Sequence, residues 1–316
     1  MSVYTTLTLQ EVQAFAAPYG LEVLELIPIQ GGIQNTNYFL VCENAKQYVL
    51  TVFEEMDEQG AAELVPVLEH LGQQGLAVPV PLNYAGQAIH PLKSKPAQIA
   101  PRMMGKHPMP ATLEQAQAIA VAQAKIHIAL QGFPLERAEY RNHNYWLQVA
   151  KELKPTLNPA DSILLSEVLG LYDALTAVYP NRPKGFIHSD LFRDNTLFEG
   201  NELKGILDFY ELNKDEFLFD IAITLNDFCT EYPEVHLNEA KAHAFLEAYE
   251  TVRPLTQDEK SCLEIYLAMA AARFWLMRLQ VAQKNAQQGR TGDDILQKNP
   301  LEMRNMLVER LKFVTA

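Results

Sequence analysis

The spacing of apolar and polar positions changes along this chain. In the first hundred residues the apolar runs are of strand length, at 21–29, 38–42, 48–53 and 98–103. They predict an antiparallel meander, with Gly31-Gly32 turning between the first two runs. Two helices interrupt it. Thr8-Leu9-Gln10-Glu11 has the form of a capping box and opens a short helix that stops near Gly20. Residues 58–74 place Leu64, Val67, Leu68 and Leu71 on one face and end at Gly75. Pro79 and Pro81 mark extended chain, and the tract from Met104 to Pro110 reads as a linker. Beyond it the period becomes helical. Thr112-Leu113-Glu114-Gln115 is a second capping box, followed by Ala116, Ile119, Ala120, Ala124 and His127, with a stop near Gly132. Further helices are expected at 143–153, 162–178, 219–229, 237–251, 257–283 and 300–313. The longest carries a stripe of Leu263, Leu267, Ala270, Phe274, Met277 and Val281. The pattern therefore predicts an α+β chain: a small β-rich N-lobe at 1–103 and a large, mainly helical C-lobe at 104–316.

A short β segment interrupts the helices, and it carries the chemistry. Residues 188–195 read His188-Ser189-Asp190-Leu191-Phe192-Arg193-Asp194-Asn195, and Asp208 follows in Gly205-Ile206-Leu207-Asp208-Phe209-Tyr210. The form His-x-Asp-x-x-x-x-Asn, then an Asp on a strand, is a phosphoryl-transfer set. Asp190 would accept or aim the proton of an attacking hydroxyl. Asn195 and Asp208 would be oxygen ligands for Mg²⁺, which needs few side chains because ATP phosphates and water complete its shell. His188 would support the loop. Thr196-Leu197-Phe198 and residues 203–207 read as two strands around the turn Glu199-Gly200-Asn201-Glu202, so the polar groups would converge from a strand, a loop and a hairpin. The plainer alternative is a solvated loop beside an unrelated strand Asp.

Bulk properties narrow the class. A chain of 316 residues can bury two cores. Its net charge of −13 argues against a general nucleic-acid binder but leaves room for a local Mg-phosphate site. Cys42, Cys229 and Cys262 are odd in number and lack metal-ligand spacing, which predicts reduced, buried thiols and a cytoplasmic setting. Met1-Ser2-Val3-Tyr4 does not open a signal peptide, and no run is long enough to span a membrane. Partners are expected to be small molecules, with the chain a monomer or homodimer.

Other candidates each have a structural alternative. Gly31 and Gly32 could bring backbone N–H groups to phosphates, or form a plain turn. Asn35, Thr36 and Asn37 could touch phosphates or the acceptor. Met103, where the last strand meets the linker, is a nucleotide candidate. Thr51 stands where a kinase usually has its phosphate-binding Lys, which leaves the role of Glu63 open against that of a solvated helix face. Asp220 could hold the catalytic loop through backbone N–H groups or simply cap a helix. His127 reads as a satisfied core residue. Arg193 could pair with a phosphate or a carboxylate, or form a structural salt bridge. Arg273 could grip a carboxylate bidentately or tie two helices together, the latter slightly favoured.

The runs GGIQNTNYFL (31–40), YVLTVFE (48–54), HSDLFRDNTLF (188–198), GILDFY (205–210), FDIAITLNDFC (219–229) and RFWLMRL (273–279) together resemble the homoserine kinase family within the aminoglycoside phosphotransferase/choline kinase branch. That resemblance implies a bilobal protein-kinase-like fold and ATP-dependent phosphorylation of the L-homoserine hydroxyl, a step toward threonine. Thr51 resembles that family too, which departs from ordinary kinases at the same place. Homoserine would need a cation for its carboxylate, with Arg193 and Arg273 as candidates, and acceptors for its ammonium, with Asn37, Asn226 or Asp227 as candidates. Tyr210 is a further substrate candidate. Rival readings are another small-alcohol kinase, with Tyr210, Trp275 and Phe228 as a choline cage, and a non-catalytic nucleotide-binding protein. Asp190, Asn195 and Asp208 together argue against the last.

Overall fold

A computed structural model describes residues 5–30, 35–43, 45–135, 141–287 and 298–314. Gly31 and Gly32 lie outside them. The chain divides into two compact units. One takes in Met1–Gly105 and, from far along the chain, Lys204–Tyr210; the other holds Lys106–Leu203, Glu211–Thr291 and Gln297–Ala316.

The first unit is an antiparallel sheet of β1 (Val23–Pro28), β2 (Asn35–Cys42), β3 (Gln47–Phe53), β4 (His90–Leu92) and β5 (Lys95–Pro101), in the order β1-β2-β3-β5-β4. Helices α1 (Leu9–Ala16) and α2 (Glu58–Gln73) accompany it, and α1 has the expected capping box. Registers Tyr38↔Leu50↔Ile99 and Asn37↔Thr51↔Gln98 follow from the pairings. Because side chains alternate, each register row lies on one face. The first row joins Leu40, Val52 and Ala97 in a core with Leu7, Val12 and Ala16 of the α1 region, each buried large aliphatic contributing roughly 1.5–3 kcal/mol. The second row is a polar rung on the opposite face, where Phe53 packs with Ala61 and Ile89. The edge strand β4 was not predicted. Pro91 and Pro96 hide a strand pattern there, yet proline is tolerated at a sheet edge.

The second unit begins with α3 (Leu113–Ala129), α4 (His143–Leu153) and α5 (Pro159–Val178). The strands β6 (Lys184–Ile187), β7 (Thr196–Glu199) and β9 (Asn213–Glu216) follow, while most of β8 (Glu202–Ile206) falls in the Lys204–Tyr210 segment of the first unit. Then come α6 (Phe217–Phe228), β10 (Thr230–Glu231), β11 (His236–Leu237), α7 (Glu239–Glu250), α8 (Gln257–Gln287) and α9 (Pro300–Val314). Every residue of α6 is buried. The α8 stripe needs correction: between Ile265 and Arg273 the helix is buried on all sides, while Val281 is exposed. The sequence pattern also gave no hint of β9, whose Asn213-Lys214-Asp215-Glu216 pairs with β6 through Ile187↔Asn213 and Gly185↔Asp215. Gly185 is required at that crossing, since a Cβ there would meet the Phe217 ring at 2.5 Å. The expected linker is pinned as well. Lys106 and Phe198 exchange both backbone hydrogen bonds, and His107 Nδ1 lies 2.9 Å from the Thr196 carbonyl.

Candidate active site

Strand β6 delivers His188 into a loop that is tied at every turn. Asp220, from the first turns of α6, accepts the His188 N–H at 3.2 Å on Oδ2 and the Ser189 N–H at 2.7 Å on Oδ1. It therefore holds the loop. The capping alternative does not apply, because the N-cap of α6 is Glu216 and makes no side-chain cap. Ser189 takes the left-handed conformation, φ 69°, which turns the chain so that both amides face the same carboxylate. The Asp190 N–H points at His188 Nδ1, 3.3 Å away, so that nitrogen is the acceptor and the buried ring supports the loop as expected. Asn195 Nδ2 then donates to the Asp190 carbonyl at 2.8 Å and to Asp190 Oδ2 at 3.0 Å. With its nitrogen turned to Asp190, Asn195 presents its amide oxygen, the atom a hard cation requires.

A buried relay supports Asp220. His127 Nε2 is 3.0 Å from Asp220 Oδ2, and His127 Nδ1 is 2.6 Å from the Tyr249 hydroxyl. The His127 ring stacks on Phe217, with centroids 4.6 Å apart. Burial pushes the His127 pKa down despite the Asp220 charge. Burial opposes ionisation of Asp220, but the hydrogen bonds from His127 and the Ser189 N–H hold its pKa below the usual value. The consistent state is an ionised Asp220 and a neutral His127, with the proton on Nε2 and the Tyr249 hydroxyl donating to Nδ1.

Several residues expected to meet substrate are occupied elsewhere. Arg193 and Asp227 bind each other: Asp227 Oδ2 accepts the Arg193 backbone N–H at 2.6 Å and Nε at 2.9 Å, and Oδ1 accepts Nη2 at 3.2 Å. This is the structural salt bridge weighed as the alternative for Arg193, and it occupies the Nε/Nη2 edge of Arg193 and both carboxylate oxygens of Asp227. Asn226 is a core residue, donating to the Leu267 carbonyl at 2.7 Å and accepting from Arg310 Nε at 2.8 Å. Trp275 and Phe228 are fully packed core rings, which removes the choline cage. Arg273 donates through Nη1 to Asp215 Oδ2 at 3.0 Å and lies 3.2 Å from the Phe219 ring centroid.

In the first unit, Thr36 is 0 % exposed. Its hydroxyl accepts the Thr5 N–H and donates to Glu54, so it has a structural place instead of a nucleotide contact. Asn35 Oδ1 accepts the Glu54 N–H at 3.4 Å. Thr51 donates to Asn37 Oδ1 at 2.7 Å and is hydrogen-bonded to the Tyr210 phenol, whose ring packs edge-to-face on Phe53 at 5.4 Å. Tyr210 is thus built into this unit. Burial and then the Asp208 charge push its pKa up. Asp208 adopts φ 60°, and the Ile206 N–H two residues earlier binds the Ala77 carbonyl at 2.8 Å. Met103 is half-buried just after β5. Glu63 accepts from Gln59 one turn earlier on the helix surface. Lys95, unnoticed in the sequence, pairs with Glu54, but its register places it on the face away from Thr51.

Comparison with known proteins adds the family. The model of the phosphotransferase enzyme family matches residues 25–255. A homoserine kinase of Cupriavidus pinatubonensis is 35 % identical over 290 residues, covering 88 % of each chain. A homoserine kinase of Pseudomonas aeruginosa is 36 % identical over 312 residues, covering 98 % of this chain and 96 % of its own. An amicoumacin kinase solved in complex with AMP-PNP and Ca²⁺ aligns with a TM-score of 0.68 at 17 % identity, covering 98 % of this chain and 93 % of that one. That likeness shows a shared α+β kinase-like fold. Among the described residues no helix is long and apolar enough to cross a membrane.

Proposed function

The chain belongs to the homoserine kinase family of the aminoglycoside phosphotransferase-like kinases, and from that membership we propose that it transfers the γ-phosphoryl group of ATP to the side-chain hydroxyl of L-homoserine. The products are ADP and O-phospho-L-homoserine, in a cytoplasmic step toward threonine. The observation that carries this reading is the Asp190 carboxylate, held by Asn195 within a loop that Asp220 anchors from below.

Asp190 accepts the proton of the acceptor hydroxyl as its oxygen bonds to the γ-phosphorus and the bond to the β-γ bridging oxygen breaks. Little covalent work falls to the protein in such a transfer, so rigid placement of this carboxylate is its main contribution. Asn195 and Asp208 would hold Mg²⁺. An amide oxygen and a carboxylate suit a hard cation that keeps most of its shell as water and phosphate oxygens. The ion, when bound, neutralises charge on the phosphates. Asn35, Thr51 and Met103, with Gly31 and Gly32, are the proposed nucleotide contacts, and Asn37 and Tyr210 act with them through Thr51.

The test is ADP release with MgATP and a panel of homoserine, serine, threonine, choline and an aminoglycoside, with product identity established by mass. Homoserine should be the best acceptor. Serine should be poor because one missing methylene withdraws its hydroxyl from Asp190. Choline or the aminoglycoside as best acceptor would sink the assignment.

A further inference from the structure

A hydroxyl aimed at Asp190 is one end of the acceptor. An amino acid also carries a carboxylate and an ammonium, and these need a receptor. The Nε/Nη2 edge of Arg193 is taken by Asp227, but that of Arg273 is not. It is 6 % exposed, and only Nη1 is engaged, on Asp215. Among the described residues, Nε and Nη2 are both buried with no hydrogen-bond partner. These two groups form one edge of the guanidinium. Their N–H bonds run parallel and match the two oxygens of a carboxylate. A buried donor left unmet is unfavourable, more so when charged, so an empty fork is a feature to be explained. Arg278 offers a contrast. Its Nη1 is on the Asn299 carbonyl and Glu302, and Nε alone is a buried orphan, which is an isolated donor and not a fork.

A second orphan lies along the same row of rings: Tyr172, the neighbour of His143, has its centroid 6.5 Å from that of Phe219, the ring under Arg273. His143, the first residue of α4, stacks near Tyr172 with ring centroids 4.7 Å apart, and its Nε2 is 3.6 Å from Asp173 Oδ1. Its Nδ1 is buried and has no partner among the described residues. Burial first, and then the Arg273 charge, push the His143 pKa down. A neutral ring whose Nε2–H faces Asp173 presents Nδ1 as an acceptor. The region thus holds two parallel donors and one acceptor, the complement of an α-carboxylate and an α-ammonium.

The placement relative to the catalytic loop fits. Phe219, beneath the Arg273 guanidinium, adjoins Asp220, which holds the loop amides. Phe274 meets Phe192 of the loop edge-to-face at 4.7 Å. Asp215 pairs with Gly185, three residues and about 10 Å of strand before His188.

We propose that Arg273 and His143 form the head-group subsite for an α-amino-acid acceptor, with the carboxylate on the Nε/Nη2 edge of Arg273 and the ammonium on His143 Nδ1. The inference rests on the homoserine reading above.

Arg273→Lys tests this. Lysine keeps a cation for Asp215 and loses the fork. Its kcat/KM for homoserine relative to 3-aminopropanol, which lacks the carboxylate, should fall by about 10²-fold. The change should appear in KM for homoserine and not in KM for ATP. If the lysine variant does not fold, the pair Arg273→Gln/Asp215→Asn, which leaves no charge unmatched, is read in the same way. A folded variant with the wild-type ratio overturns the subsite while the homoserine reading stands. Wild-type enzyme that ignores homoserine overturns both.

Discussion

Asp220→Asn should disable the enzyme without touching any group that meets substrate. The native carboxylate satisfies three donors: the Ser189 N–H on Oδ1, and the His188 N–H and His127 Nε2–H on Oδ2. An asparagine oxygen can keep the Ser189 bond. Its NH₂ group then faces two further donors. His127 can relieve one conflict by moving its proton to Nδ1, but that nitrogen faces the Tyr249 hydroxyl, which must reverse as well. The His188 N–H has no such remedy and stays buried and unmet. One orphaned donor costs about 1–3 kcal/mol, and loss of charge-assisted bonds adds about 1.5–3 kcal/mol. Their sum is roughly what breaking a buried ion pair costs, about 3–5 kcal/mol. At about 2–4 °C per kcal/mol, the value for chains of 150–250 residues, Tm should drop by roughly 6–20 °C, toward the lower end for this longer chain. The loop that carries Asp190 loses its anchor, and a displacement near 1 Å costs about 10²-fold in rate. Calorimetry and single-turnover kinetics with ATP and homoserine measure both effects, and KM for ATP should change little. A variant with native Tm and native kcat would show that Asp220 does not hold the loop.

Four further outcomes are expected. Asp190→Asn should lower kcat by about 10²–10⁴-fold with a small change in KM for ATP; collapse of ATP affinity with kcat intact would make Asp190 a nucleotide ligand. Asp208→Asn, which tolerates the φ of 60°, should raise the Mg²⁺ concentration for half-maximal rate at least about tenfold, and an unchanged Mg²⁺ curve would remove Asp208 from the metal. Ser189→Gly relieves φ 69° and deletes a buried hydroxyl that has no partner among the described residues, so it should stabilise by about 1 kcal/mol, visible as a higher Tm; a lower Tm would mean the hydroxyl has a partner. The pKa of His127 is depressed, so just below the unfolded value of about 6.5 the unfolded chain binds more protons. Stability should therefore fall as pH drops through that window. His143 contributes to the same slope, so His127→Gln should flatten the Tm–pH curve between pH 7 and 5 without abolishing the slope, and an unaltered slope would contradict a neutral buried His127.

The catalytic loop was legible because its chemistry is local. The Asp190–Asn195 spacing alone brings the amide nitrogen to the carboxylate. Helix α4 was read correctly from its apolar spacing, whereas α5 begins at Pro159, earlier than expected. There the signal was present in Asn158 as N-cap and Pro159 in the first turn. Strand β9 had no local signal, since four polar residues become a strand only when β6 lies beside them. The pairing of Arg193 with Asp227, 34 residues apart, is of the same kind. Each charge looked available to substrate in the sequence, and only packing showed that they neutralise each other.

The same argument explains Thr51. A lysine on that face of the sheet would need a carboxylate. Glu63 lies on the helix surface with Gln59, and Glu54 is committed to Lys95 on the other face. What surrounds Thr51 is neutral: Asn37 and Gln98 beside it in register, and the Tyr210 phenol. The chain of bonds runs from the Tyr210 hydroxyl to Thr51 Oγ1 and on to Asn37 Oδ1. An ammonium in place of the Thr51 hydroxyl would be desolvated and would leave Asn37 Oδ1 and the Tyr210 phenol without their shared partner, a cost of several kcal/mol. A threonine satisfies both neighbours and binds Tyr210, two residues from Asp208, to the centre of the sheet. The uncharged rung is therefore a self-consistent replacement for an ion pair: it gives up a cation on that face and keeps the segment that carries Asp208 fixed to its own unit.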